Sequence, residues 1–115
     1  MKNLQLESLI KNLKKKSIEE NVAIWKRIAV DLEKPSRNRR IVNLNKLDKN
    51  SKEGEIIVVP GKVLGDGVIQ KNIVVAAYQF SGSAMKKLQE SKSTIMKIND
   101  LVDKYPKGQK VRIIG

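Results

Sequence analysis

The residues of this chain that could do chemistry are cations, not thiols or imidazoles. It carries 24 Lys and Arg against 12 Asp and Glu, a formal net charge of +12 over 115 residues, with no His and no Cys. That excludes disulfides, thiol nucleophiles, Cys- or His-based zinc sites and the commonest general base. The sharpest cluster is Lys34, Arg37, Arg39 and Arg40, around Pro35. A guanidinium on a short, stiff segment can form forked bonds to two phosphate oxygens, which a lysine cannot. The competing reading of such a run is a solvated charged loop. Lys14, Lys15 and Lys16 form a second cluster. They suit a phosphate track, and equally an ordinary helix end where the dipole favours cations. Lys62 stands among Gly61, Gly65 and Gly67, while Lys107, Lys110 and Arg112 flank a glycine turn late in the sequence.

Enzymatic readings are weaker. The Gly61 to Gly67 segment contains neither G-x-x-x-x-G-K-[ST] nor G-x-G-x-x-G, and Asp66 would repel a phosphate there. A rigid turn near a nucleic-acid backbone, touched by Lys62, fits it better. The carboxylate pairs Glu19/Glu20 and Asp100/Asp103 read as first-turn residues of helices, stabilised by the dipole, rather than as an acid/base pair. No catalytic, metal or cofactor site is therefore expected, and no small-molecule substrate. Aromatic residues make up only 3% of the chain, and modules that read unpaired bases need stacking rings. Recognition of phosphate and folded shape suits this composition better. No run is apolar enough for a signal peptide or a membrane span, so a cytoplasmic address without membrane partners is expected.

The charge is uneven. Residues 1–40 carry +6, residues 41–72 carry +1 and residues 73–115 carry +5. A polyanion is the natural partner for such a chain, and 115 residues suit one domain with one core. Leu6, Leu9, Ile10 and Leu13 recur at helical spacing. Ser17 with Glu20 reads as a capping box opening a second helix, whose stripe is Ile18, Val22, Trp25, Ala29 and Leu32. In that stripe Trp25 is either core or an anchor for a protein contact. Pro35 ends the helix near Lys34. Ile41 and Val42 suggest a short strand, and Leu44 with Leu47 a helical turn. Ile56 to Val59, closed by Pro60, and Ile73 to Phe80 are near-continuous apolar runs, as in strands covered on both faces. Ser81 or Ser83 can cap a helix with Ala84, Met85 and Leu88 inward and Lys86 and Lys87 outward. Thr94 to Lys97 suggests a strand, Asn99 a cap for a last helix burying Leu101, Val102 and Tyr105, and Val111 to Ile114 a closing strand. Strands alternating with helices predict an α/β core with at least partly parallel strands.

The wording VVPGKVLGDG (Val58 to Gly67) followed by VAAYQFSGSA (Val75 to Ala84) resembles one family. It is that of the ribosomal large-subunit proteins joining the bacterial fifteenth protein to the archaeal and eukaryotic eighteenth, with the archaeal eighteenth the nearer branch. The similarity extends through KPSRNRRIVN (Lys34 to Asn43) and PKGQKVRIIG (Pro106 to Gly115), while the first thirty or so residues match only in being helical and basic. The chain departs from the family's usual Ala-Gly-Gly-like turn after the Ala84 helix, having Ser91, Lys92 and Ser93 there, and has Tyr105 where an Asn often precedes the Pro-Lys-Gly. The resemblance implies an irregular superhelix of strand, strand and helix units, with residues 1–34 as a basic helical arm and residues 35–115 as the α/β core. It implies a non-enzymatic constituent of the large ribosomal subunit that binds large-subunit ribosomal RNA. Its other expected partners are neighbouring large-subunit proteins, met by the apolar face of the N-terminal helix. A free RNA- or DNA-binding chaperone is the alternative.

Overall fold

In the computed structural model, which describes residues 3–35 and 39–115, the molecule is organised around strand β2 (Ile56–Leu64). Along one edge β2 pairs in parallel with β3 (Val74–Phe80), and β4 (Thr94–Lys97) continues the sheet beyond β3. Its other edge is shared end to end by two short strands. β5 (Val111–Ile113) runs beside Ile56 to Val58, and β1 (Arg40–Asn43) beside Gly61 to Leu64. All four pairings are parallel, as an α/β chain requires.

Both faces of the sheet are covered, which is why its central strands are apolar without alternation. On one face lie α1 (Leu4–Glu20), α2 (Ala23–Glu33) and α5 (Ile98–Lys104), where Leu6, Leu9, Leu13, Trp25 and Leu101 pack on Val58 and Ala76. On the other lie α3 (Leu44–Asn50) and α4 (Gly82–Glu90), whose Leu47, Ala84 and Leu88 pack on Ile57, Val59 and Val75. The N-terminal helical arm is thus laid on the sheet. The apolar face of α1 expected to meet a neighbouring protein is used internally.

The helix boundary differs from the sequence expectation. Ser17 does not open α2; it belongs to the last turn of α1, and its hydroxyl donates to the Val22 carbonyl at 2.7 Å. The break falls at Asn21, whose φ of 54° is left-handed, a conformation asparagine tolerates because its short side chain bonds locally. Ile18 consequently leaves the apolar stripe and is 82% exposed. Glu19 and Glu20 sit at the end of α1 rather than in a first turn, opposite Lys15, Lys16 and Lys107. Trp25 is core, and its indole N–H donates to the Pro106 carbonyl at 2.8 Å.

Pro60 does not end β2. Without an N–H it cannot donate to the ladder, so the register shifts there: Val59 faces Ala77, but Lys62 faces Gln79, leaving Pro60 and Gly61 opposite Tyr78 alone. Gly61 and Lys62 are strand residues, not loop residues. A Cβ on Gly61 would stand 1.9 Å from the Arg40 carbonyl oxygen, so only glycine lets β1 approach.

From Leu64 to Val74 the chain crosses back to start a parallel strand without the usual helix. This crossover, residues 65–73, is held from inside. Lys87 of α4 donates to the carbonyls of Gly65 and Gly67 at 2.7 and 2.8 Å, and Lys71 donates to those of Asp48 and Ser51. Lys87 is therefore turned toward the loop and not outward, whereas Met85, expected inside, is 41% exposed. Ser81, not Ser83, caps α4, accepting from the Ala84 amide at 3.1 Å. Asn99 lies within α5, one residue past its start, and its carbonyl oxygen accepts from the Asn12 side chain at 2.9 Å. Where the family is expected to have glycine, Lys92 adopts a left-handed φ of 62°.

Candidate nucleic-acid interface

The cations proposed from sequence fall into two groups, at opposite ends of α2. At its C-terminal end begins the connector to β1, residues 34–39, of which Lys34, Pro35 and Arg39 are among the described residues. Lys34 closes the helix with its ammonium 3.3 Å from Asp31 Oδ1, and Arg40 Nε lies 3.5 Å from Asp31 Oδ2. Arg39 reaches over the Tyr78 ring, 5.6 Å from its centroid, an attractive cation–π geometry. Lys62 is exposed on β2, in register with Ile41 on one side and Gln79 on the other. Residues in register share a face, so these three make an exposed row across β1, β2 and β3 beside the connector. Lys14 joins this end through Glu33 at 3.0 Å. Arg37 lies outside the described residues.

The other group lies roughly 16 Å away by the rise of an eleven-residue helix. Lys107 meets Glu20 at 2.8 Å, and this ammonium bond holds the Glu20 carboxyl below its ordinary pKa. Arg112 is 3.2 Å from Glu55, and Lys110 sits exposed in the turn before β5 with a φ of 62°. Lys15 and Lys16, at 3.6 and 3.9 Å from Glu19, lie on the outer side of α1.

Among the described residues, Arg39 Nε, Arg40 Nε and Asp31 Oδ2 are buried atoms without a hydrogen-bond partner, as are Asn43 Oδ1 and Ser51 Oγ elsewhere. Such atoms normally find partners in a finished structure, because leaving them unpaired costs about 1–3 kcal/mol each. Among the described residues no group of three or more acids converges as a metal site, and no helix is long and apolar enough to cross a membrane.

No protein-family model matches the chain. The large ribosomal subunit protein eL18 of Methanoregula boonei is 45% identical over 112 residues, covering 97% of this chain and 93% of that protein. The eL18 proteins of Pyrobaculum aerophilum and Methanospirillum hungatei are each 43% identical over 112 residues, covering 97% of this chain and 92% and 93% of theirs. The chain belongs to the eL18 family.

Within this eL18-family fold, the glycine segment has an internal explanation. A Cβ on Gly65 would lie 1.9 Å from Ser83 Oγ and 2.9 Å from the Ala84 amide nitrogen, and one on Gly67, whose φ is 93°, would strike Asn45. These glycines serve α3 and α4 packing. Sequence reasoning missed Asp31 and Tyr78 as members of the connector cluster. The signal for Asp31 was available: an acid in the last turn of α2 opposes the helix dipole, so it calls for a nearby cation. Nothing in the sequence pattern placed Tyr78 beside Arg39, because thirty-nine residues of chain separate them.

Proposed function

We propose that the chain is a structural constituent of the large ribosomal subunit, binding and positioning large-subunit ribosomal RNA through phosphate and shape contacts. It is not an enzyme, needs no cofactor, and works in the cytoplasm within the subunit. The single observation that carries this reading is the connector end of the molecule. There, among the described residues, Arg39 and Arg40 have buried Nε atoms without hydrogen-bond partners, next to a Lys62 that makes no ion pair. On this reading phosphate oxygens accept from the Nη edges of these guanidinium groups and from Lys62, the Nε atoms themselves being buried. The second group, Lys107, Lys110 and Arg112, is partly neutralised by Glu20 and Glu55 and contributes long-range attraction more than forked contacts. Exposed Leu4 and Ile18, on the ends of α1, are what that helix leaves for neighbouring proteins.

A salt titration tests the reading. Against large-subunit rRNA transcribed in vitro, log affinity is expected to fall with log salt at a slope of about 4.5 or more, as for about five phosphate contacts. A nearly flat titration would sink the electrostatic account. Co-sedimentation with large subunits that survives moderate salt separates a subunit constituent from a free RNA chaperone.

A further inference from the structure

We propose that Asp31 is a positioning residue: its carboxylate aims the Arg40 guanidinium, so that an acid inside a basic surface strengthens RNA binding. The inference rests on the connector being the RNA-facing end. Two general effects argue against an acid at this place. A negative charge in the last turn of α2 opposes the helix dipole, and one beside a docked phosphate repels it. Yet Asp31 is only 6% exposed and is held between Lys34 and Arg40.

Arg40 is gripped at three points. Its carbonyl fits against Gly61, where a Cβ would stand 1.9 Å from the oxygen. Its side-chain stem crosses Gly115, where a Cβ would stand 2.0 Å from Arg40 Cδ. Its Nε faces Asp31 Oδ2 at 3.5 Å, near enough to be oriented by charge, while neither atom has a hydrogen-bond partner among the described residues. The two glycines leave room for the backbone and stem, and Asp31 takes the Nε edge of the guanidinium. The Nη edge is then the one free for a forked phosphate contact. Holding it in advance avoids the side-chain entropy that a free arginine loses on docking.

The test is binding of large-subunit rRNA transcribed in vitro by the full chain and its variants, with melting temperatures measured in parallel. Asp31→Asn raises the net charge by one, so electrostatics alone predicts tighter binding; positioning predicts binding weaker by about fivefold. Asp31→Glu, which restores the carboxylate, is expected to recover part of the loss. Arg40→Lys keeps the charge but removes Nε and the fork, and is expected to weaken binding by a similar factor even if Asp31→Asn folds poorly. In the Arg40→Lys background, Asp31→Asn should add no further loss. If Arg40→Lys weakens binding while a folded Asp31→Asn matches or exceeds wild type, Asp31 does not position it. If Arg40→Lys binds as wild type, the inference fails with it, and an unchanged Arg40→Ala would show that the connector is not the RNA-facing end.

Discussion

The crossover that leaves β2 and the residues flanking the entry to β1 are opposite in how their polar groups are satisfied. Around the crossover of residues 65–73, Lys71 from within it and Lys87 from α4 are turned inward. Lys87 and Lys71 donate to backbone carbonyls of the crossover and of the neighbouring α3 region, the Asn45 amide donates to the Asp66 carbonyl, and the Gln70 amide donates to Asp48. At the entry to β1, Arg39 and Arg40 carry buried Nε atoms that no group among the described residues accepts from. The more recognisable segment is therefore scaffold, and the less finished one is the face proposed for RNA. A cation's sign does not separate these roles; whether its hydrogen bonds are already made does.

The comparison breaks first at Gly65. A valine there meets Ser83 and the α4 backbone, so Gly65→Val is expected to destabilise the free protein by about 3 kcal/mol, read as a lower melting temperature. The RNA affinity of the protein that remains folded should not change. Normal stability with lost RNA binding would reverse the assignment and put the crossover on the RNA.

The connector should show the opposite pattern. Arg39→Gln with Lys62→Gln removes two cations that have no acidic partner among the described residues, so no carboxylate is stranded. Stability should move by no more than about 0.5–1 kcal/mol, the scale of an exposed cation–π contact. Binding to large-subunit rRNA should fall about tenfold at low salt, with the salt slope reduced by roughly 1.8 for two lost phosphate contacts. Lys15→Gln with Lys16→Gln, both near Glu19, should cost less. Equal losses in the two pairs would mean that the surface acts by net charge alone.

The smallest effect sharpens the contrast from the scaffold side. Lys87→Met strips the Gly65 and Gly67 carbonyls of their donor and is expected to cost about 1–2 kcal/mol in a denaturant melt. Its effect on RNA binding should not exceed that of removing any one distant charge. A larger binding loss than from Arg39→Gln alone would show that Lys87 reaches RNA.

Local pattern determined much of this protein. The apolar runs Ile56 to Val59 and Ile73 to Phe80, with helical stripes on either side, made a parallel α/β sheet covered on both faces readable from residue order, because periodicity reports burial directly. The excess of cations and the absence of His and Cys pointed to a polyanion and away from catalysis, since side-chain chemistry needs no fold to be counted. Contacts between distant residues were decided elsewhere. That Ser17 bonds back to Val22, that β2 runs through Pro60, and that Gly61 makes room for Arg40 follow from packing against partners remote in sequence or from a single left-handed residue. Tertiary structure alone turned Lys87 inward, left Arg39 and Arg40 unfinished, and set Asp31 behind them, because hydrogen-bond satisfaction depends on who is near in space.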